Sequence, residues 1–548
     1  MRLHPNGRTA PDPSSYLAIL STACMAVVLA VLFAAAPAAG QDHHHPAGDA
    51  GQLGRVEFSV SCSPAVAPRF ERAVAMLHSF WFEAAETAFG EIIAEEPGCA
   101  MAHWGRAVVL MANPMARAAR PAAALREGLA AAERARELAA SATHREQMYA
   151  DAAVAFYTDP DGRSHGQRME ALEGAFEALH RAHPEDMEAA IFYARTLVAN
   201  APPDDQTFGR QLKAAEILEP LFEAHPDHPG LAHYLIHAYD APPIADRGRD
   251  AAFAYASIAP SAPHALHMPS HIFTRLGYWD ESIETNARSA QAEPDPDAAV
   301  HPMDYMVYAF LQQGRDAEAK AVVDRAIELP DRFYDGLLGY NFVAMPARYA
   351  LERGAWSDAA ALELPTGGLP YVEAVTRFAR AVGAARSGDP DGAQADADAL
   401  AGLKRALDER GDAEWAVRVE AQRLAAVAWI AFARGDREEA VQLAAAAADL
   451  DESVEKSPVT PGPILPAREL QADMLMEMGR HAEAAAAYAK TLKREPRRAR
   501  SLYGAARAAE LAGDRDAATA RYRELLEVME HADATRPETR AARSFLGG

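Results

Sequence analysis

The sequence predicts an all-α protein in which antiparallel helix pairs stack into an α-solenoid, a right-handed superhelix with irregular helical insertions. Strand patterns are nearly absent from residue 66 onward. Long alanine-rich stretches instead place apolar residues three and four positions apart, which is the spacing of an amphipathic helix. Glycines and prolines recur at a fixed interval, which indicates one helix pair per repeat.

The interval is visible in two parts of the chain. In the C-terminal part, Gly479 and Gly513 are 34 residues apart, and each is followed by an alanine five positions later and a tyrosine nine positions later. In the middle of the chain, Pro226, Pro260 and Pro294 are separated by the same 34 residues. The two parts therefore share one repeat length.

This pattern resembles the tetratricopeptide repeat (TPR), in which small residues let two antiparallel helices pack closely and a proline ends each pair. The resemblance is specific near residues 68–112, 226–330 and 466–530. It is looser between them, where the segment NAPPDDQTFGRQ is inserted and an irregular helical stretch runs over residues 331–430.

Three phrases, PDHPGLAHYLIHAYD, ALHMPSHIFTRLG and PGPILPAREL, further resemble a group of exported bacterial TPR proteins to which no reaction is assigned. The resemblance implies a fold and an exported location. It implies no mechanism.

The N-terminus predicts the same location. The weakly basic stretch MRLHPNGRTAPDPSSY precedes an apolar run that ends in small residues at Ala36, Ala38 and Gly40. This arrangement is typical of a cleaved signal peptide, and the length of the run leaves an uncleaved membrane anchor as the alternative. We therefore expect a periplasmic or secreted protein.

Charge and cysteine content narrow the possible partners and the compartment. The formal net charge of -24 would repel nucleic acid and anionic membranes, so neither is expected as a partner. Removal of the signal peptide would leave two cysteines in the mature chain, Cys62 and Cys99. An even cysteine count in an oxidising compartment predicts a disulfide between them.

These patterns divide the chain into seven regions. They are a signal peptide (1–40), a flexible polar linker (41–60), N-terminal TPR-like helices (61–200), central TPR repeats (201–330), irregular or degenerate helical repeats (331–455), C-terminal TPR repeats (456–533) and a tail (534–548).

Histidines recur in register within the central repeats. His233 and His237 lie four residues apart in HPGLAHYLIHAYD, which predicts one helix over residues 228–240. Advancing by 34 residues from each gives His267 and His271. The two pairs therefore occupy equivalent positions on the first helices of neighbouring repeats, where we expect them to stack.

At 100° per residue, these histidines lie on the side of each helix opposite its apolar packing face. We call this polar side the histidine stripe. It continues on both helices and on the next one, through Asp240, His264, Arg275, His301, Asp304, Tyr308 and Gln312. In the repeats that the chain resembles, the equivalent positions line the concave groove. We therefore expect a histidine ladder that lines an open trough.

Imidazoles at this spacing can share a metal ion. Residues four apart on a helix have Cβ atoms about 5–6 Å apart, and packed helices are about 8–10 Å apart. We predict His233, His237, His267 and His271 as ligands, with His264, His301, Asp304 and Asp240 as supporting residues or alternative ligands. Such a site suits Zn, Cu, Ni or Fe. The alternatives are hydrogen bonding to a peptide or small acid, and a pH-sensitive surface.

Candidates for catalysis are fewer. No hydrolase elbow, Walker loop, dinucleotide fingerprint or HExxH motif is present, so an enzyme would depend on a metal and a nearby acid or base. Asp304, Glu469, Arg275 and Tyr308 are the candidates. The favoured function is a binding or scaffold protein whose groove holds a metal, a protein or peptide, or a small ligand. The alternative is a hydrolytic or oxidative metal-dependent enzyme.

Overall fold

The structure is a computed structural model that describes residues 51–116, 119–329 and 337–547. The described residues form helices and connecting loops, with no strand among them. The predicted signal peptide or anchor, and residues 41–50 of the predicted linker, lie outside this part of the chain. No helix within it is long and apolar enough to cross a lipid bilayer.

Nine helices form the N-terminal part and the beginning of the central part. They are α1 (Ala67–His78), α2 (Phe82–Glu95), α3 (Ala100–Leu110), α4 (Ala122–Ala139), α5 (His144–Tyr157), α6 (His165–Ala182), α7 (Met187–Ala199), α8 (Gly209–Ala224) and α9 (Pro229–Tyr239).

The next eight helices are α10 (Arg249–Ile258), α11 (Pro263–His267), α12 (Pro269–Leu276), α13 (Trp279–Ala292), α14 (Val300–Gln312), α15 (Asp316–Ile327), α16 (Leu337–Glu352) and α17 (Trp356–Ala360). The last nine are α18 (Pro370–Arg386), α19 (Pro390–Glu409), α20 (Ala413–Arg434), α21 (Arg437–Asp451), α22 (Ala467–Glu477), α23 (His481–Arg494), α24 (Ala499–Ala512), α25 (Arg515–Val528) and α26 (Pro537–Gly547).

The helices pack in the order of a repeat array. Each helix packs against the next one along the chain, and first helices of successive pairs also touch, as α7 touches α9, α12 touches α14 and α14 touches α16. The same alternation continues through α18, α20 and α22. This packing confirms the predicted all-α, TPR-type fold class, and it extends through the stretch that the sequence left irregular.

Small residues allow the helices of a pair to approach closely. A Cβ atom added to Gly504 on α24 would overlap the ring of Tyr488 on α23, and one added to Gly105 would overlap the ring of Phe89. The glycine and the aromatic ring therefore depend on each other for close packing.

Buried side chains and a helix lie in two regions that the sequence predicted only as a linker and a tail. Leu53, Val56 and Phe58 lie in the predicted linker but are buried, and the Phe58 ring packs 5.7 Å from Trp104 between centroids. Apolar side chains that find a core do not remain in a linker. In the predicted tail, the chain forms α26.

The two cysteines meet as expected. The Cys62 and Cys99 sulfurs are bonded, with Cα atoms 5.1 Å apart.

The C-terminal repeats pack against the central ones. The indole N–H of Trp279 donates to the Arg497 carbonyl (3.2 Å). Gly277, which ends α12 with φ +72°, lies so close to the Pro496 carbonyl that an added Cβ would be 2.8 Å from that oxygen. Glycine is therefore required there both for its left-handed backbone and for its size. This contact places the segment before α24 against the end of α12, the second histidine helix.

Candidate metal centre

Six imidazoles from neighbouring helices form two groups of three. Group 1 contains His233 and His237 of α9 and His264 of α11, and group 2 contains His267 of α11, His271 of α12 and His301 of α14. Within each group the candidate ligand atoms all lie within 4.8 Å of one another.

The grouping differs from the predicted quartet. The four predicted ligands divide into two pairs, and each pair gains a third imidazole that the sequence placed in a supporting position, His264 or His301. The reason is direction: the pair on α9 meets the beginning of α11, whereas the pair on α11 and α12 meets α14 on its other side. A repeat offset shows which positions are equivalent, but not which neighbour each side chain reaches.

Local sequence sets the start of α9. Pro229 occupies the first helical turn, where its fixed φ suits a helix and its missing N–H leaves no bond unmade. The predicted helix over 228–240 is therefore shorter by one residue at each end, and His228 and Asp240 flank it.

Pro269 interrupts the second histidine helix. Proline has no amide to donate to the preceding turn, so α11 ends at His267 and α12 begins at Pro269. The intervening Met268 keeps helical dihedrals, and the His271 amide donates to its carbonyl three residues back (3.1 Å). The helix thus continues in the same direction, and His267 and His271 stay on one side.

The central feature of group 2 is a pair of facing nitrogen lone pairs. His271 Nδ1 lies 2.8 Å from a carboxylate oxygen of Asp240, which can only accept, so Nδ1 carries the proton. His267 Nδ1 lies 2.7 Å from Asn286 Oδ1, and the Asn286 amide is oriented by its donation to the Ser282 carbonyl (2.6 Å). Both Nε2 atoms are therefore unprotonated in the neutral rings, and they face each other at 3.0 Å.

A carbonyl oxygen also orients the third imidazole of group 2, but the nitrogen left free on this ring is Nδ1 and not Nε2. His301 bonds the backbone carbonyl of Val459, and its Nδ1 is buried without a hydrogen-bond partner.

Group 1 also presents free nitrogens. His233 Nδ1 donates to the His78 carbonyl (2.6 Å), which leaves Nε2 as the lone-pair nitrogen. The Nε2 atoms of His233, His237 and His264 are all buried without a hydrogen-bond partner. Buried polar atoms are nearly always bonded, so this concentration of unpartnered nitrogens points to a ligand.

Burial keeps these rings neutral. It lowers the pKa of His267 and His271, against the raising effects of Asn286 and Asp240 respectively. Burial also lowers the pKa of His301 to about 3. Neutral imidazole is the form that binds metals.

A loop covers the ladder, so the predicted open trough is wrong. The covering loop, residues 452–466, connects α21 to α22. Its Thr460 carbonyl accepts from the Tyr305 hydroxyl (3.1 Å), its Val459 carbonyl accepts from Asn341 (2.9 Å), and its Gly462 carbonyl accepts from an Arg348 N–H (2.7 Å). Repeat spacing could not predict that this loop packs against helices more than 100 residues earlier in the chain.

Asp240 joins the covering loop to the imidazoles. Its carboxylate accepts from His271 (2.8 Å), from Arg275 Nε (2.9 Å) and from Lys456 Nζ of the covering loop (2.9 Å). Lys456 and Arg275 hold the pKa of Asp240 well below its ordinary value, despite burial. Asp240 therefore supports a ligand, which is one of the two roles that the sequence allowed it.

A cavity of about 550 Å³ lies beside group 1. His237, Asp240 and Lys456 border it, and so do Tyr371 and Trp415, which are stacked with ring centroids 4.2 Å apart. His237 is the ladder histidine that lines this space, so a small molecule in the cavity would lie beside group 1, whose Nε2 atoms are themselves buried.

A third cluster acts as a support. Both Glu188 carboxylate oxygens are occupied, one by His78 Nε2 (2.8 Å) and one by His228 Nε2 (2.9 Å). Because these atoms bond one another, fewer nitrogen and oxygen atoms of this cluster are free to coordinate a metal ion than in groups 1 and 2. It fixes His78, whose carbonyl orients His233. No local sequence pattern indicates that His228 has a partner 40 positions away.

The candidate catalytic residues are engaged elsewhere. Asp304 is buried against Arg348 (3.0 Å), so it is not available to a metal ion. Glu469 is buried between Arg498 (2.7 Å) and Arg500 (2.9 Å).

The other two candidates are also bonded. The Tyr308 hydroxyl donates to Glu495 (3.3 Å) and accepts from Arg498 (3.2 Å), and Arg275 is paired with Asp240. A position that faces the groove in one repeat becomes an interior position when other parts of the chain pack onto it. The candidate residues are buried and bonded for this reason.

Comparison with known proteins gives structural likeness only. No family model and no curated protein matches this sequence. Among solved structures, the human IFIT1 dimer with PPP-AAAA is similar at 13% identity and a TM-score of 0.37, covering 84% of this chain and 90% of that one. The same dimer with m7Gppp-AAAA gives 14% and 0.37, covering 87% and 92%.

The APC/C hetero-tetramer Cut9-Hcn1 is similar at 11% identity and a TM-score of 0.29, covering 87% of this chain and 89% of that one. Such low TM-scores add nothing to the fold assignment, which depends on the helix packing described above.

Proposed function

We propose that this protein is an exported TPR-type protein that binds a transition metal through its six central imidazoles. Zn, Cu, Ni and Fe are the candidate ions, because imidazole ligands suit these metals and not Mg or Ca.

The facing Nε2 atoms of His267 and His271 carry the proposal. Two lone pairs 3.0 Å apart repel each other unless a cation lies between them or close by. Two ligand nitrogens bound at about 2.0–2.1 Å to one tetrahedral ion are themselves slightly more than 3 Å apart, so the spacing suits a shared ion. Asp240 and Asn286 support the rings in the way that carboxylates and amides support metal-bound histidines.

A small ligand fits this site better than a peptide. The covering loop lies over the imidazoles, so a peptide in the concave groove would not reach them. The cavity beside His237 is large enough to hold a small molecule next to group 1.

Metal content of purified, tag-free protein tests the proposal. Apo protein dialysed against each of the four metals, and then freed of loosely bound ions, should retain stoichiometric metal. The double variant His233→Ala/His267→Ala removes one ligand from each group and should lose the metal. His225→Ala removes an exposed imidazole and is the matched control.

Absence of retained metal in the wild type for all four ions would refute the proposal. Full retention in the double variant would place the metal elsewhere.

Export is tested separately. Fractionation of expressing cells and N-terminal sequencing of the mature chain should give a periplasmic or secreted protein that begins near residues 38–40. An intact N-terminus in the cytoplasm would contradict that part of the proposal.

A further inference from the structure

The two imidazole groups are close enough to act together. The rings of His237 and His271 are 6.0 Å apart between centroids, and so are the rings of His264 and His267. The contact between groups is thus only slightly longer than the 5.0 Å between His267 and His271 within group 2. Ions held by the two groups would therefore be neighbours.

Each group is sufficient for an ion of its own. Three nitrogens within 4.8 Å form each candidate site, and three protein ligands are the usual number when a metal keeps an open position. The six nitrogens form two separate sets of three, so a single ion would bind only one set. The geometry favours two ions.

The ligand set leaves positive charge uncompensated. All six candidate ligands are neutral imidazoles, and Asp240, the carboxylate bonded to one of them, already accepts from His271, Arg275 and Lys456. Buried charge requires a counter-charge close by. The remaining source is an anion that enters from solvent.

The cavity provides the route for that anion. His237 borders it. The cavity wall carries more carboxylates than cations, so the attraction for an anion would come from the bound ions and not from the wall; the charged lining residues are Arg410, Lys456, Asp205, Asp240, Asp412, Glu414 and Glu455.

We propose that groups 1 and 2 together hold two imidazole-bound metal ions as one dinuclear centre, which takes a small anion between the ions from the cavity beside His237. The inference depends on the proposed metal-binding function. It adds the number of ions, their proximity and the chemical class of the exogenous ligand.

Copper(II) and azide are suitable probes for the test. Apo wild-type protein should bind two Cu²⁺ per chain, and the integrated paramagnetic resonance signal should fall well below two spins, because neighbouring ions couple magnetically. Azide should bind with a new charge-transfer band and saturate at one azide per two copper ions.

Variants locate the two ions. His264→Ala removes a ligand from group 1 and His301→Ala removes one from group 2, so each should abolish the coupling. His225→Ala should retain two coupled ions. Circular dichroism and thermal unfolding check that the variants fold, and the wild-type measurements stand without them.

The outcomes separate this inference from the proposed function. Absence of bound metal refutes both. One ion per chain, two ions that integrate to two full spins, or saturation at two azides per pair overturns the dinuclear centre while leaving metal binding intact. Retained coupling in either His264→Ala or His301→Ala also overturns it.

Discussion

Replacing Asp240 with asparagine tests how the protein prepares His271 for a metal ion. The Asp240 carboxylate accepts from His271 Nδ1 at 2.8 Å and thereby keeps the lone pair on Nε2. An asparagine that turns its NH₂ toward His271 forces the proton onto Nε2, where it blocks coordination. An asparagine that turns its oxygen toward His271 places the NH₂ against Arg275, which bonds the other carboxylate oxygen of Asp240. Either orientation weakens the site.

The expected loss is 10- to 100-fold in metal affinity, which is the usual effect of removing such a support. It corresponds to about 1.4–2.8 kcal/mol. Asp240→Asn should also lower stability, because it leaves Arg275 and Lys456 buried with less counter-charge.

Competition against a chelator of known affinity measures the loss with Zn²⁺. Glu455→Gln is the matched control, because it removes a carboxylate from the same charge cluster: Glu455 lies 3.4 Å from Arg275 and 3.1 Å from Arg494. The control should change the affinity by less than about 3-fold, because the Glu455 carboxylate bonds Arg275 and Arg494 and none of the six imidazoles.

Equal losses in the two variants would refute the reasoning. They would show that the negative charge matters and the hydrogen bond to His271 does not. An unchanged affinity in Asp240→Asn would show that His271 is not a ligand.

Three further predictions follow from the same contacts. Asn286→Ala should weaken Zn²⁺ binding about 10-fold in the chelator assay, because His267 loses the acceptor that fixes its tautomer. Burial raises the pKa of Glu188, but its two imidazole partners lower it by more, so the net change is from 4.5 to about 2. The ionised Glu188 therefore stabilises the fold fully above pH 4.5, and this stabilisation is lost as the pH falls toward 2. The difference in unfolding free energy between wild type and Glu188→Gln should therefore shrink over that window, in denaturant titrations at each pH, and a constant difference would contradict it. Replacing Cys62 and Cys99 with serine opens a loop with a sequence separation of 37 residues and should cost about 4 kcal/mol of unfolding free energy, measured by denaturant titration.

The repeat interval predicted much of the fold and of the candidate site. The 34-residue offset from His233 to His267 correctly placed two histidine pairs on adjacent first helices, because equivalent repeat positions face the same way in a solenoid.

The ligand grouping required three dimensions. Whether His264 reaches α9, and whether His301 reaches back from α14, depends on how far each helix is displaced along its neighbour. The sequence placed both residues in the histidine stripe, but it did not indicate whether either of them joins the ligand set.

Long-range closure was beyond the repeat pattern. Lys456 reaches Asp240 from 216 residues away, and Glu188 reaches His228 across 40 residues. No local periodicity records such pairs, so the sequence predicted an open trough where the protein has a covered site.

Anomalous diffraction from crystals of the metal-loaded wild-type protein tests the central claim most directly. Data collected on the two sides of the metal's absorption edge should show anomalous density among the six imidazoles, about 2.0–2.1 Å from ligand nitrogens that include Nε2 of His267 and of His271. A loaded protein whose anomalous density lies away from these rings, with the two Nε2 atoms still facing each other across an empty gap, would contradict the account.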